Sequence, residues 1–120
     1  MKKNTLVIGA SLKPERYSNM AINRLRNYSH DVKAFGLREG EVNGVSIDTE
    51  LLDYDAIDTV TLYLNPKRQE TYYDYIIGLK PKRVIFNPGT ENPELYKLLI
   101  ENNIEYEAAC TLVLLATNQY

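Results

Sequence analysis

The sequence is poor in residues on which many catalytic and metal sites depend, with one cysteine, one histidine and no tryptophan. Because Cys110 is the only cysteine, a disulfide within the chain is excluded. The single thiol agrees with a reducing compartment, so we expect a cytoplasmic protein. His30 is the only histidine, which excludes metal sites that need two or more imidazoles.

Long apolar runs and an excess of charge of one sign are also absent. The apolar stretch after Met1–Asn4 ends by Ala10, too short for the apolar region of a signal peptide. No other segment approaches the ~20 apolar residues of a membrane span. The 14 basic and 16 acidic residues are mixed and give a net charge of −2, so we expect neither nucleic acid nor a membrane as partner. The length suits a single domain, placed at residues 1–120.

Short β-branched and aliphatic runs alternate with amphipathic segments along the whole chain. The predicted strands are Thr5–Ile8, Val32–Phe35, a weaker Val45–Ile47, Ile57–Leu64, Arg83–Phe86 and Ile104–Ala108. Three helices are predicted. The first is capped by Ser18 and runs to about Tyr28; the other two begin with an Asn-Pro cap, from Asn65-Pro66 to about Ile77 and from Asn92-Pro93 to Asn102. With the weaker segment Val45–Ile47 set aside, this alternation predicts an α/β fold, a doubly wound, mostly parallel five-stranded sheet with helices on both faces.

In a doubly wound sheet, ligands bind beyond the carboxyl ends of the strands, near the point where the strand order reverses. The turns that follow the predicted strands therefore mark the candidate site. These are residues 9–18, 36–38, 65–68 and 87–90, together with Cys110 after the last strand.

The first of these turns, residues 9–18, has the composition of a phosphate-binding loop. Gly9 permits a tight turn, Ser11 and Ser18 offer hydroxyl groups, and Lys13 and Arg16 add positive charge. A loop between a buried strand and a helix also presents unpaired backbone N–H groups and the positive end of the helix dipole. The alternative is that Gly9 only turns the chain and that both basic side chains are solvated.

The loop departs from the dinucleotide-binding fingerprint G-x-G-x-x-G. Only Gly9 is present, and the second strand ends in Phe35-Gly36-Leu37-Arg38 without the acidic residue that binds a ribose diol. NAD is therefore disfavoured. Arg38 suits a phosphate on the ribose, a feature of both NADP and coenzyme A, so an NADP-dependent reductase is an alternative function.

Three stretches, VIGASLKPERYS, NPGTENPELYKLLIENNIEYE and AAC, resemble the small stand-alone CoA-binding proteins. Their domain is similar to the nucleotide-binding domain of the succinyl-CoA synthetase α subunit, and the resemblance covers nearly the whole chain. It implies a Rossmann-like fold and binding of coenzyme A or an acyl-CoA through the phospho-ADP moiety, without evident catalysis. The residues implied at the phosphates are Gly9, Ala10, Ser11, Arg16 and Ser18, and Tyr17 stands among them.

The chain also departs from these relatives. Many of them carry Asn-Pro at the end of the second strand, where this chain has Gly36-Leu37. They often have a basic residue near the helix start after the fourth strand. In this chain Asn65 stands at that helix start, and Lys67 or Arg68 is the candidate for the basic residue. Both basic side chains also fit a solvated position.

Two further positions have a binding and a structural interpretation. The amides of the Asn87 to Gly89 turn suit a pantetheine or pyrophosphate, but a turn at this point requires no ligand. Cys110 lies where a thiolate would meet the thiol of CoA, whereas a lone cysteine is more often a small buried hydrophobic residue. His30 precedes the second strand, on the side opposite the predicted site, and we interpret it as structural.

Tyrosine is abundant, with ten residues in the chain. Tyr72, Tyr73 and Tyr75 form a cluster that suits stacking on an adenine or a homodimer surface, since tyrosine is enriched at interfaces. We prefer a plainer arrangement, in which Tyr72 and Tyr73 pack on the sheet and Tyr75 faces solvent. A module that self-associates through this surface and binds no small nucleotide is a third function class.

Overall fold

A seven-stranded sheet forms the centre of the molecule in the computed structural model, which describes residues 2–120. Its strands are β1 (Thr5–Ala10), β2 (Val32–Gly36), β3 (Gly40–Val42), β4 (Val45–Asp48), β5 (Thr59–Leu62), β6 (Arg83–Phe86) and β7 (Glu105–Ala108). The helices are α1 (Tyr17–Asn27), α2 (Pro66–Gln69), α3 (Tyr73–Leu79), α4 (Pro93–Glu101) and α5 (Thr111–Ala116). None of the helices within residues 2–120 is long and apolar enough to cross a membrane.

The strand order is β3-β4-β2-β1-β5-β6-β7. All neighbouring strands are parallel except β3 and β4, which form an antiparallel pair at one edge. Strand β1 lies between β2 and β5, with Thr5 opposite both Val32 and Thr59. The chain winds outward in both directions from β1, so the strand order reverses between β1 and β5, and this is where a doubly wound sheet binds its ligands.

The sheet is covered on both faces, as predicted, and each face has its own apolar core. Strand β1 contributes to both because successive side chains point to opposite faces. Val7 packs with Ile22 and Leu25 of α1 and Leu115 of α5. The other core contains Leu6, Ile8, Ile57, Val60, Leu62, Ile76, Val84, Phe86, Leu95 and Leu99. Leu6, Val7, Ile8 and Val60 are all fully buried. Burial on both faces of the sheet explains the continuous apolar runs of the central strands.

The prediction of five strands was too low. Besides β4, which was the weaker prediction at Val45–Ile47, the sheet contains β3, joined to it by a hairpin at Asn43-Gly44. Asn43 has a φ of 48° and Gly44 a φ of 79°. A two-residue β-hairpin turn with this backbone requires positive φ at both positions. Strand β5 is shorter than predicted and ends at Leu62 rather than Leu64.

Two helix predictions also differ from the structure, and one helix was missed. Helix α1 begins at Tyr17 with Arg16 in the capping position, so Ser18 lies inside the helix and does not cap it. The segment after β5 is not one helix running to about Ile77, because a 3₁₀ turn at Glu70–Tyr72 separates α2 from α3. This segment ends at Lys80, whose φ of 51° is left-handed. Helix α5 was not predicted.

Candidate functional site

A cleft of about 670 Å³ opens at the carboxyl ends of β1, β2, β5 and β6, at the reversal of strand order. Its walls are residues 9–13 and 16–18 from the β1–α1 loop, 35–38 from the end of β2, 63–65 after β5 and 88–90 after β6. Arg68 and Tyr72 complete the wall beyond β5. The cleft therefore gathers four of the turns that the sequence marked as candidate segments.

Glycine at the end of β1 allows two of these loops to approach each other. Gly9 has φ of +96°, and a Cβ atom placed there would lie 3.0 Å from the backbone carbonyl carbon and oxygen of Tyr63. Gly36 meets a similar limit, since its Cβ would lie 2.4 Å from the carbonyl oxygen of Ala10. The floor of the cleft is thus a backbone contact between neighbouring strand ends that side chains would hold apart.

The β1–α1 loop presents backbone N–H groups that the fold leaves without partners. Among the described residues, the amides of Ser11, Leu12, Tyr17 and Ser18 have no acceptor within hydrogen-bond distance. The loop itself is held in place, because Ser11 Oγ accepts from the Lys13 amide at 3.1 Å and the Asn19 side chain donates to the Ser11 carbonyl at 2.9 Å. An ordered loop with unpaired donors before an 11-residue helix favours an anion.

The side chains that line the cleft carry charge of one sign. Lys13, Arg16, Arg38 and Arg68 are among them, and no aspartate or glutamate is. The ion pairs found within residues 2–120, Lys82 with Asp58 and Arg83 with Glu107, lie away from the cleft. A chain with a net charge of −2 therefore gathers four cationic side chains in this cleft without an acidic side chain among the lining residues.

Besides Arg68, the side of the cleft beyond β5 carries aromatic and aliphatic side chains. Tyr63 follows β5, and burial raises the pKa of its hydroxyl to about 12, so the phenol is neutral at physiological pH. Tyr72 packs edge-on against Phe35, with ring centroids 5.4 Å apart, and Leu64 and Pro88 add aliphatic surface. This side suits an uncharged, extended part of a ligand.

The three clustered tyrosines have separate positions. Tyr72 packs against the end of the sheet, and the Tyr73 hydroxyl accepts from the Asn92 side chain at 2.8 Å. The prediction that Tyr75 faces solvent was wrong. Tyr75 is half-buried, its hydroxyl donates to the Leu52 carbonyl at 2.5 Å, and burial raises its pKa to about 12.

Most of the binding residues named from the sequence line the cleft: Gly9, Ala10, Ser11, Lys13, Arg16, Tyr17, Ser18, Arg38, Asn65 and Gly89. Lys67, Asn87 and Cys110 do not. Lys67 is exposed outside the cleft, and its neighbour Arg68 is the basic residue of α2 that lines it.

Asn87 is committed to the fold rather than to the cleft. Its side chain is buried, donates to Thr61 Oγ1 at 2.7 Å and to the Leu62 carbonyl at 2.9 Å, and accepts from the Thr111 amide at 2.9 Å. The amide of Gly89 is likewise satisfied, by Glu91 Oε1 at 2.8 Å. Cys110 is half-buried at the start of α5.

Phe35, Tyr63 and Leu64 line the cleft although the sequence did not predict them there. The predicted strand Ile57–Leu64 included Tyr63 and Leu64, but β5 ends at Leu62. Both residues therefore belong to the turn after β5, which lines the cleft. Within residues 2–120, no group of three His, Cys, Asp or Glu side chains lies close enough to hold a metal ion. His30 is buried at the opposite end of the sheet, where its Nδ1 accepts from the Lys3 amide at 2.9 Å.

Comparisons with known proteins give a consistent picture. Residues 3–116 match the family described as CoA binding domain. A crystal structure of a protein described only as uncharacterized is 47% identical, with a TM-score of 0.97 over 100% of this chain and 99% of that one. A hypothetical protein from Pyrococcus horikoshii OT3 is 30% identical, with a TM-score of 0.84 over 93% of this chain and 80% of that one.

A more distant structure shares the fold alone. The dinucleotide-forming acetyl-coenzyme A synthetase 1 of Ca. Korarchaeum cryptofilum, in complex with phosphate and ADP, is 15% identical, with a TM-score of 0.73. The match covers 89% of this chain and 25% of that one. No curated protein matches the chain.

Proposed function

The chain belongs to the CoA-binding domain family, and on that premise we propose that it binds coenzyme A, free or acylated, through the phospho-ADP moiety and performs no chemistry on it. One observation carries the proposal: a cleft at the reversal of strand order is lined by four cationic side chains and by no acidic one. Such a site recognises a ligand with several phosphate groups and repels other cations.

The pyrophosphate belongs at the β1–α1 loop. The unpaired amides of Ser11, Leu12, Tyr17 and Ser18 supply neutral donors there. Lys13 and Arg16 supply positive charge beside them. Backbone donors before a helix, strengthened by its dipole, bind a phosphate without the motion that long side chains retain.

The ribose 3′-phosphate belongs at Arg38. This residue follows β2, where a dinucleotide-binding fold that selects NAD has an acidic residue. The guanidinium of Arg38 forms no ion pair among residues 2–120, so it is available for a phosphate. The same chemistry would accept the 2′-phosphate of NADP, and the experiment below separates the two ligands.

The pantetheine arm belongs on the side beyond β5, between Tyr63, Leu64 and Pro88. These residues offer neutral and aliphatic surface, as an uncharged chain requires. The side chains that line the cleft include no Cys, His, Asp or Glu, so the wall offers no ordinary base or thiol nucleophile to a thioester. Both features favour binding without turnover.

Isothermal titration with CoA, 3′-dephospho-CoA, acetyl-CoA, NADP and NAD tests the proposal. We expect CoA and acetyl-CoA to bind most tightly. Replacing Arg38→Met should weaken CoA binding by roughly 10- to 100-fold, because a charge-assisted hydrogen bond is lost, and should leave dephospho-CoA nearly unaffected. Arg24→Met is the matched control, since Arg24 is exposed on α1 and outside the cleft.

Two results would contradict the proposal. Tight NADP binding without CoA binding would make the protein a nicotinamide nucleotide binder. An unchanged preference for CoA over dephospho-CoA in the Arg38 variant would remove Arg38 from the site.

A further inference from the structure

Gln69 is the only glutamine of the chain that the fold encloses completely, with no exposed surface. It is the last residue of α2, between the exposed side chains of Arg68 and Glu70. A buried carboxamide is costly unless its donors and acceptor are satisfied. Gln69 meets this condition, so its three hydrogen bonds show which parts of the molecule it joins.

Those hydrogen bonds join two walls of the cleft. Gln69 Nε2 donates to the carbonyl of Leu64, after β5, and to the carbonyl of Thr90, after β6, each at 2.8 Å. Both acceptor residues line the cleft. The two loops extend past Leu62 and Phe86, the last paired residues of their strands, so sheet hydrogen bonds do not hold them together.

A third bond extends the link to the helices behind the cleft. Gln69 Oε1 accepts from the Asn92 side chain at 2.9 Å, and the same Asn92 amide donates to the Tyr73 hydroxyl. Asn92 Oδ1 caps α4 through the Leu95 amide at 3.3 Å. The carboxamide of Gln69 therefore connects α2, the two cleft loops and the start of α4 at one buried point.

The backbone around Gln69 does not fix this arrangement by itself. Helix α2 has only four residues, and the 3₁₀ turn at Glu70–Tyr72 separates it from α3. A 3₁₀ turn within a helical segment is a common place for a hinge. Arg68 and Tyr72, which line the cleft, lie on either side of Gln69 in the chain.

From this we propose that Gln69 is a positioning residue for the ligand, holding the walls beyond β5 and β6 at the separation that the pantetheine arm of CoA requires. The inference rests on the proposed function, because it assigns that arm to this side of the cleft. It assigns no contact between Gln69 and the ligand.

The test compares two ligands that reach different parts of the cleft. CoA extends to the β5 and β6 walls, whereas adenosine 3′,5′-bisphosphate is confined to the β1–α1 loop and Arg38. In Gln69→Met, a substitution of similar volume, we expect CoA to bind roughly tenfold more weakly and adenosine 3′,5′-bisphosphate to bind within about twofold of the original protein. Gln119→Met is the matched control, because Gln119 is the exposed second glutamine, and it should change neither affinity.

The outcomes distinguish the two proposals. If a folded Gln69→Met protein binds both ligands more weakly by the same factor, or binds both as tightly as the original protein does, the positioning role is overturned. Absence of CoA binding in the unsubstituted protein would overturn the proposed function first.

A measurement on the unsubstituted protein covers the case in which Gln69→Met does not fold. With two glutamines in the chain, the Gln69 Nε2 protons are readily assigned by NMR against those of Gln119. We expect CoA to slow their exchange with solvent and adenosine 3′,5′-bisphosphate to leave it unchanged. Equal effects of the two ligands would contradict the positioning role.

Discussion

Gly9 shows how one residue serves both the fold and the site. Its φ of +96° strains any other residue, and a Cβ would also press on the Tyr63 backbone at 3.0 Å. Gly44 has a similar φ of +79° but nothing within 4 Å of a Cβ. We expect Gly44→Ala to lower the free energy of unfolding by ~1 kcal/mol and Gly9→Ala by ~2 to 4 kcal/mol, as measured in urea.

The two glycine variants should also differ in ligand binding. Gly9→Ala displaces the loop that carries the unpaired amides, so CoA affinity should fall, whereas Gly44 lies in the β3–β4 hairpin outside the cleft. Equal stabilities for the two variants would show that the contact with Tyr63 relaxes at no cost.

His30 gives the molecule a titratable residue far from the cleft. Burial lowers the pKa of His30, and the positive charges of Lys2, Lys3 and Arg83 lower it further. The neutral ring accepts from the Lys3 amide and lies edge-on to the Tyr120 ring, with centroids 5.0 Å apart. Protonation removes that acceptor and adds a positive charge among others.

This environment predicts a loss of stability in acid. Because the pKa of folded His30 lies below its unfolded value of about 6.5, the contribution is complete above about pH 6.5 and is lost as pH falls through the folded pKa. We expect the free energy of unfolding to decrease from about pH 7 to pH 5 more steeply in the original protein than in His30→Asn, whose Oδ1 keeps an acceptor in place. Carboxylates titrate in both proteins, so parallel pH profiles would refute the role of His30.

Single residues differ in how well the sequence predicted them. The loop from Gly9 to Ser18 was predicted because local composition determines what a strand-to-helix turn offers. The division between Lys67 and Arg68 was not, since helix phase decides which of two adjacent basic side chains faces the cleft. The internal bonds of Asn87 were equally hidden, because its partners Thr61 and Thr111 are distant in sequence.

At the scale of elements, the errors follow from length and environment. Hydrophobic periodicity identified the central strands and α4, whose apolar residues bury a continuous stripe. Strand β3 has three residues and pairs only at an edge, so its sequence carries little pattern. Helix α5 has six residues without charge, and its amphipathic pattern is too short to distinguish it from a turn.

Helix α5 nevertheless completes one of the two cores. Leu115 is 2% exposed and packs in the same cluster as Ile22 and Leu25 of α1. We expect Leu115→Ala to lower the free energy of unfolding by ~2 to 5 kcal/mol through the cavity it leaves. Val113→Ala, on the same helix but 55% exposed, is the control and should cost less than ~0.5 kcal/mol. Similar losses for both variants would mean that α5 does not pack on α1 as described.

At the scale of the whole molecule, the charge of the cleft differs from the net charge of the chain. The chain as a whole is slightly acidic, yet the cleft at the reversal of strand order gathers Lys13, Arg16, Arg38 and Arg68 without an acidic neighbour among its lining residues. The sequence predicted a doubly wound, mostly parallel sheet, since strand and helix alternation leaves few arrangements. It also placed Lys13, Arg16 and Arg38 at one candidate site, but it did not predict that Arg68 rather than Lys67 lines the cleft or that no acidic side chain does, because the packing of α2 and of the loops on the folded sheet decides both.

The four cationic side chains of the cleft predict that CoA binding depends on salt concentration. Raising NaCl from about 0.05 M to about 0.5 M shortens the screening length several-fold. Because exposed cations hold the phosphates of CoA, the affinity for CoA should fall by roughly tenfold. The slope of log affinity against log salt should be shallower in Arg38→Met and unchanged in Arg24→Met, whose side chain lies outside the cleft. Titration calorimetry across a salt series measures all three slopes. If the slopes of the native protein and Arg38→Met coincide, Arg38 does not act on the ligand, and the other lining cations must supply whatever salt dependence remains.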